Sequence, residues 1–197
     1  ERRRVVPVVD GLATEGAIVS VDTTKAQVAR EAVGAGAAMI NDISAGALDG
    51  LLLATVAELD VPYVLMHMRG TPRTMQRDPR YTDVVGEVYD FLAEGLLRLE
   101  EAGVRPERVV VDPGIGFGKT AAHNLELLRR LREFTSLGRP VLVGASRKSF
   151  LGTVSGEYAV ACETAAGGRL ANVVVNDDVV GQQCIEHLKS RNAGRAT

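Results

Sequence analysis

The chain of 197 residues is 46% hydrophobic and carries a formal net charge of −2, so it has enough apolar material for a packed core. A charge so close to zero gives no sustained basic field, which argues against nucleic acid or an anionic membrane surface as the main partner. No apolar run reaches the roughly 20 residues that a helix needs to cross a bilayer.

The cysteines and the first residues indicate the cellular compartment. Cys162 and Cys184 are too few for a disulfide framework and lack the spacing of a metal site, so the expected compartment is the reducing cytoplasm. Residues 1–6 contain neither an initiator Met nor a signal-peptide hydrophobic region, and we therefore expect a chain trimmed at its N-terminus.

Short β-rich runs alternate with longer helical patterns along most of the chain. The strand-like runs are continuously apolar and show no hairpin signals, which is typical of a parallel sheet covered by helices on both faces. Thr23 and Thr24 are placed to cap the first predicted helix. The predicted strands cover residues 17–22, 38–42, 61–67, 109–112 and 140–144, and the predicted helices cover residues 25–33, 48–59, 83–102 and 122–134.

Polar side chains stand where these strands end. Because the carboxyl ends of parallel strands open on one face of an α/β fold, we expect these side chains to converge there. Each also has a structural explanation: Asp22 and Asn41 could cap helices, Asp112 could brace its own turn, and Lys148 could be a solvated helix-start residue. The strand-end residues are Asp22, Asn41, Met66 with His67, Asp112, and the run from Ser146 to Lys148.

The glycine-rich run after the fourth strand resembles a nucleotide P-loop only superficially. A P-loop needs Gly, four residues, and then Gly-Lys-Ser/Thr. For Gly118-Lys119-Thr120 the first glycine would fall on Pro113, and starting from Gly114 leaves only three residues between. This spacing argues against ATP binding. A glycine-rich turn without a ligand would explain the glycines but not the aspartate at the strand end.

Five runs together resemble the dihydropteroate synthases, in the order and spacing of that family, across residues 1–152. The first two would also suit the related pterin-binding methyltransferases, whereas the Met-His-Met and Ser-Arg-Lys-Ser runs favour the synthases. The runs are Val-Ser-Val-Asp-Thr at 19–23, Ile-Asn-Asp-Ile at 40–43, Leu-Met-His-Met at 65–68, Asp-Pro-Gly-Ile-Gly-Phe-Gly-Lys at 112–119 and Gly-Ala-Ser-Arg-Lys-Ser at 144–149.

The resemblance implies an α/β fold, a TIM (β/α)₈-type barrel that is incomplete in this segment. It implies one pterin-binding barrel domain over residues 1–197, family-like over 1–152 and divergent over 153–197. The implied enzyme is a transferase of folate biosynthesis. It condenses 6-hydroxymethyl-7,8-dihydropterin diphosphate with 4-aminobenzoate to give 7,8-dihydropteroate and diphosphate. These two small molecules are the expected partners, and a homodimer is left open.

The resemblance also assigns site residues. A carboxylate can accept hydrogen bonds from a pterin ring N–H and the adjacent exocyclic amine, which suits Asp112, while Lys148 would donate to the pterin carbonyl. These two are the implied catalytic residues. The implied pterin contacts are Asp22, Asn41, Met66, Asp112, Gly144 and Lys148, and the implied 4-aminobenzoate contacts are Phe117, which could equally be core packing, and Ser149.

The chain departs from the family pattern at both ends. The first two strands of the family, with the Asn linked to metal and diphosphate, have no counterpart here, so Mg²⁺ is implied without its usual ligand. No metal ligand is assigned in this segment. Val174 and Asn176 stand where the family has the Arg and His that hold diphosphate. The alternative is therefore a non-catalytic or defective pterin-binding homologue or fragment, and a corrinoid-linked methyltransferase module is less favoured.

Overall fold

A computed structural model describes residues 1–145 and Lys148 of this chain. Within them, strands alternate with helices, as the sequence predicts. The strands are β1 (Ser20–Asp22), β2 (Met39–Asp42), β3 (Tyr63–Met66) and β4 (Val109–Asp112). The helices are α1 (Arg2–Thr14), α2 (Ala26–Gly34), α3 (Leu52–Leu59), α4 (Val84–Glu101) and α5 (Ala121–Arg129), with 3₁₀ turns at Pro106–Arg108 and Leu131–Leu137.

The four strands form one parallel sheet in chain order, β1-β2-β3-β4. Parallel neighbours joined through helices are the repeating unit of an α/β fold, so the predicted parallel sheet is confirmed. The predicted strand over 140–144 is wrong in extent, because only a parallel bridge between Val111 and Val141 represents it. Two backbone bonds hold that bridge, from Val111 N–H to Pro140 O at 2.9 Å and from Leu142 N–H to Val111 O at 2.8 Å.

Strand register divides the side chains between two faces. Successive side chains alternate across a strand, so residues paired in register, and those two further along, share a face. One face, the helix face, packs into the apolar core against α2, α3 and α4. It carries Ile40, Asp42, Tyr63, Leu65, Val109 and Val111, whereas the opposite face, the site face, carries Asp22, Asn41, Val64, Met66, Val110 and Asp112.

The first helix, α1, is an element that the sequence analysis did not predict. It is rich in β-branched valine and contains Pro7, which lacks the N–H needed for a helical hydrogen bond. Val8, Val9 and Leu12 are nevertheless buried, and Val9 joins a small apolar cluster with Val21 of β1. Burial of this one face therefore outweighs the unfavourable local propensity.

The start of α2 corrects a second expectation. Thr23 and Thr24 do not cap the helix, which has Lys25 at its N-cap position and no cap bond from that side chain. Asp49 supplies the bond instead, since its Oδ2 accepts from the Ala26 N–H at 2.8 Å. Thr23 Oγ1 closes a local turn by accepting from the Lys25 N–H at 3.3 Å, and it donates to Glu1 Oε1 at 3.1 Å. The cap therefore comes from another loop.

The last predicted helix is also shorter than expected. It was predicted over 122–134, but α5 ends at Arg129 and the chain continues as the 3₁₀ turn Leu131–Leu137. Within the described part of the chain, none of the helices combines the length and the apolar character required to span a bilayer.

A buried carboxylate ties the β2–α3 loop to the sheet. Asp42 lies on the helix face with no exposed surface. Its Oδ1 accepts from the Ser44 N–H at 2.7 Å and the Ser44 hydroxyl at 2.6 Å. Its Oδ2 accepts from the Gly46 N–H at 2.6 Å and the Tyr63 hydroxyl at 2.8 Å. Donors from strand and loop thus compensate the burial of this carboxylate.

Replacing Tyr63 by Phe should lower the free energy of unfolding by about 1–3 kcal/mol, because Asp42 would lose one donor to a buried carboxylate. Urea unfolding followed by circular dichroism measures this. Tyr89→Phe is the matched control, since the Tyr89 hydroxyl pairs with Ser136 at an exposed position and its loss should cost less than about 0.5 kcal/mol. Equal losses of unfolding free energy in the two variants would show that the hydrogen bond from Tyr63 to Asp42 stabilises the fold no more than an exposed one.

Candidate functional site

The site face brings together four of the residues predicted from the sequence. Asp22 and Asp112 are the last residues of β1 and β4, and Asn41 is the next-to-last residue of β2 on the same face. Lys148 interacts electrostatically with both aspartates, Asp22 and Asp112. The predicted convergence of these strand-end groups is therefore present in the fold.

Asp112 is the most deeply placed acid of the site. It is 5% exposed, and its Oδ1 accepts a 2.7 Å hydrogen bond from the Gly114 N–H. Burial raises the pKa of this carboxyl to about 6, although the Gly114 bond and the positive charges of Lys119 and Lys148 act in the opposite direction. The turn-bracing role is thus real, and it leaves other lone pairs of the carboxylate for a ligand.

Asp22 lies at the open side of the same face and keeps an exposed side chain. Surrounding atoms still desolvate it enough to raise its pKa to about 6, and the negative charges of Asp42 and Glu1 add to the rise. Lys148 opposes the shift. Two acids with raised pKa values, and a lysine near both, make an environment suited to a polar and partly cationic ligand.

Asn41 lies between these groups and has an unsatisfied acceptor. Its side-chain Oδ1 is buried and has no hydrogen-bond partner among the described residues. A buried acceptor without a donor costs about 1–3 kcal/mol, so such groups are rare in native interiors. A ligand N–H reaching the site face would satisfy it.

The glycine-rich β4–α5 loop places Phe117 beside Lys148. The Lys148 ammonium lies 4.0 Å from the centroid of the Phe117 ring, a cation–π distance. Burial lowers the pKa of Lys148, against the pull of Asp112 and Asp22. Gly116 has φ +81°, and a Cβ there would come within 2.9 Å of the Lys148 side chain, so this close approach requires glycine.

Lys119 is the site-adjacent residue that the sequence analysis missed, since it considered this lysine only as part of a P-loop. The side chain is 3% exposed, and its amine donates to Gly114 O at 2.9 Å and Phe117 O at 3.0 Å. The amine therefore points into its own loop, which agrees with the argument against nucleotide binding. The signal available in the sequence was a lysine closing a glycine-rich turn after a buried strand.

The remaining predicted residues have different surroundings. Met66 is 2% exposed and pairs in register with Asp112. Val141 and Val143 pack on the core, and Gly144 follows at an exposed position. Ser149, Val174, Asn176 and both cysteines lie outside the described residues.

The described residues do not fit a resident metal ion. They contain no group of three or more His, Cys, Asp or Glu side chains that could hold one. Asp22 and Asp112 alone fall short of the oxygen ligands that Mg²⁺ usually takes from protein and substrate together.

Comparison with known proteins agrees with the geometry of the site. The sequence model for the family described as pterin binding enzyme matches residues 1–176. The chain therefore belongs to the pterin-binding enzyme family. The match extends beyond residue 152, and the proposed division into a family-like part and a divergent tail stays a prediction.

Within that family the similar proteins are dihydropteroate synthases. The chain is 43% identical over 190 residues to dihydropteroate synthase from Synechocystis, covering 91% of this chain and 65% of that protein. It is 47% identical over 153 residues to the Escherichia coli enzyme, covering 77% of this chain and 54% of that protein. The chain thus spans between about half and two thirds of the length of these relatives.

Solved structures show the same similarity. Dihydropteroate synthase from Stenotrophomonas maltophilia matches with a TM-score of 0.80 at 42% identity, over 98% of this chain and 76% of that chain. The Thermus thermophilus enzyme in complex with 6HMPPP matches with a TM-score of 0.76 at 41% identity, over 96% of this chain and 78% of that chain. The predicted fold class, α/β with a TIM (β/α)₈-type barrel represented in part, is confirmed.

The raised pKa of Asp112 predicts a pH-dependent stability. Its folded pKa of about 6 exceeds the ordinary aspartate pKa of 3.8, so the native state binds more protons between these values. The contribution of this group to stability is full below about pH 4 and is lost as pH rises through 6. The parent should therefore lose a component of about 1–3 kcal/mol between pH 4 and pH 7 that Asp112→Asn lacks.

Urea unfolding at pH 4, 5.5 and 7 measures this component. Asp49→Asn is the control with the opposite sign, because hydrogen bonds from the Ala26 and Leu51 N–H groups lower the pKa of Asp49. Removing Asp49 should cost more stability at pH 7 than at pH 4. A parallel pH dependence in the parent and Asp112→Asn would refute the assignment.

Proposed function

We propose that this chain carries the pterin site of a dihydropteroate synthase. The reaction joins 6-hydroxymethyl-7,8-dihydropterin diphosphate to 4-aminobenzoate, and gives 7,8-dihydropteroate and diphosphate. The observation that carries this proposal is the convergence of Asp112, Lys148 and Asn41 on one face of the sheet, where Asn41 Oδ1 has no partner in the described part of the chain.

The chemistry of a pterin edge matches these groups. A pterin presents a ring N–H beside an exocyclic amine, and the Asp112 carboxylate can accept from both while Gly114 holds its other side. Asn41 Oδ1 accepts a further ligand N–H. Lys148 donates to the pterin carbonyl and ring nitrogen, and Asp22, Met66 and Gly144 complete the proposed pterin contacts.

The second substrate is assigned to the other side of Lys148. Phe117 packs on that lysine and would present its ring to the aromatic ring of 4-aminobenzoate. Ser149 is assigned to the same substrate by the family pattern alone. In support, a Xanthomonas albilineans dihydropteroate synthase has been solved with 4-aminobenzoic acid, at 40% identity to this chain and with a TM-score of 0.76.

The reaction needs orientation more than a side-chain base. The bond between the pterin methylene carbon and the diphosphate oxygen breaks, and diphosphate leaves with the electron pair. The amine nitrogen of 4-aminobenzoate attacks the resulting cation, a C–N bond forms, and the nitrogen releases a proton to solvent. Asp22 and Asp112 favour positive charge on the ring, and Lys148 orients it.

The metal, the oligomeric state and the cellular location of the proposed enzyme are predictions. Mg²⁺ would assist the diphosphate group, although the described residues supply no site for it. A homodimer is a prediction from the family resemblance, and a cytoplasmic location is a prediction from the two cysteines.

Calorimetric titration of the 197-residue chain with the dihydropterin diphosphate, with and without Mg²⁺, tests the proposal directly. We expect one-site binding, followed by formation of dihydropteroate when 4-aminobenzoate is added. Binding without product would favour the non-catalytic alternative. The absence of binding to a sample that unfolds cooperatively would refute the pterin site itself.

Asp112→Asn should weaken pterin binding by about 5- to 150-fold, which corresponds to about 1–3 kcal/mol for a donor facing donors. Asp90→Asn makes the same chemical change at an exposed position of α4 and should bind like the parent. The same titration measures both variants, and equal affinities would show that Asp112 does not hold the pterin edge.

A further inference from the structure

The Lys119 amine is surrounded by three hydrogen-bond acceptors. Gly114 O and Phe117 O lie at 2.9 and 3.0 Å, and His67 Nδ1 lies at 2.8 Å. An ammonium group has three N–H donors and no acceptor, so these contacts use its full donor capacity. With a side chain 3% exposed, the cation is held by the protein and not by solvent.

The contact with His67 fixes the state of the imidazole. An ammonium cannot accept a hydrogen bond, so Nδ1 must be unprotonated and the ring proton must sit on Nε2. Burial, with the positive charge of Lys119, lowers the pKa of His67 to about 3, so the ring stays neutral. Phe91 and Tyr81 pack against the ring at centroid distances of 4.9 and 6.1 Å and restrict its rotation.

The two carbonyls that Lys119 holds lie at the ends of the segment that shapes the site. Gly114 donates its N–H to Asp112 Oδ1, while its carbonyl accepts from Lys119. Phe117 accepts from Lys119 through its carbonyl, while its ring receives the Lys148 ammonium. One buried cation therefore connects the acid of the proposed pterin site to the aromatic ring beside the lysine of that site.

We propose that Lys119 is a positioning residue of this site: it clamps the loop from Gly114 to Phe117 against His67 and so sets the positions of Asp112 and Phe117. The inference rests on the proposed function for its link to pterin. The clamp itself concerns only residues of this chain. Lys119 does not touch the ligand in this scheme and acts through the loop.

The clamp can survive loss of a proton from Lys119. Burial lowers the pKa of Lys119 to about 7. The negative charge of Asp112 opposes this shift, and the positive charge of Lys148 adds to it. The neutral amine has two N–H donors and one lone pair, so it can still donate hydrogen bonds to both carbonyls. Its contact with His67 then requires the ring proton to move from Nε2 to Nδ1, so that Nδ1 donates to the amine lone pair. One proton leaves to solvent. Two other titratable groups lie near the pair. The positive charge of Arg69 contributes to lowering the pKa of His67, and the positive charge of Lys119 contributes to lowering the pKa of His123.

Lys119→Met tests the clamp, because it keeps an unbranched side chain one atom shorter than lysine and removes the donors. We expect the affinity for 6-hydroxymethyl-7,8-dihydropterin diphosphate to fall at least tenfold. The Gly116 amide should exchange hydrogen faster, since it lies within the loop. Arg132→Met removes an exposed positive charge from the 3₁₀ turn Leu131–Leu137 and should change neither measurement. Lys119→Gln keeps two N–H donors, so its pterin affinity and its Gly116 exchange rate should lie between those of the parent and of Lys119→Met.

The tautomer of His67 separates a positioning role from simple packing. Nitrogen chemical shifts of the parent should show Nδ1 unprotonated at pH 6 and protonated above about pH 8, with the change centred near pH 7. A proton on Nδ1 at pH 6 would overturn the clamp. This measurement needs no ligand and no variant, so it decides the matter even where the Lys119 variants fail to fold.

Failure of the inference and failure of the proposed function give different results. If the parent binds the pterin and Lys119→Met binds it equally well, the positioning role is wrong and the function stands. If the parent binds no pterin, the proposed function is wrong, and the tautomer and the Gly116 exchange rate decide whether the clamp exists.

Discussion

The alternation of side chains along parallel strands is the constraint on which the rest of this structure depends. Asn41 and Asp42 are neighbours in sequence but point to opposite faces of β2. Asp42 faces the helices, where it accepts four hydrogen bonds. Asn41 faces the site, where its oxygen has no partner among the described residues. One face thus stabilises the fold and the other keeps polar groups for a ligand, which follows from a period of two residues.

The site face keeps charged groups in surroundings that disfavour their charge. Burial raises the pKa of Asp112 and lowers the pKa of Lys119 and Lys148, although opposite charges nearby act against these shifts. Such groups are a cost to the folded state and are typical of functional sites. They remain in place because Asp42 and the apolar helix face stabilise the same sheet independently. The fold therefore tolerates an energetically unfavourable site at the ends of well-packed strands.

The sequence predicted the features that depend on local pattern. The strand over 109–112, the parallel sheet, and the placement of Asp22 and Asp112 at strand ends all follow from apolar runs that stop at an acid. Long-range contacts determined what was missed. Burial against the sheet stabilises α1 in spite of Pro7, and Asp49 caps α2 from a loop distant in sequence. Lys119 was misjudged because no sequence pattern shows that a lysine is buried on carbonyls of its own loop.

The two interpretations of Asp112 that the sequence left open are compatible. The Gly114 N–H occupies one direction of the carboxylate, and a carboxylate offers about four acceptor directions, so turn bracing and ligand binding draw on different lone pairs. The bracing bond also fixes the orientation of the group before a ligand arrives. A preorganised acceptor does not have to be ordered on binding, which removes one of the entropic costs of association. The same logic extends to Lys119, because a loop held at Gly114 and Phe117 presents Asp112 already in place. The glycines allow the tight turn, and the buried lysine makes it rigid.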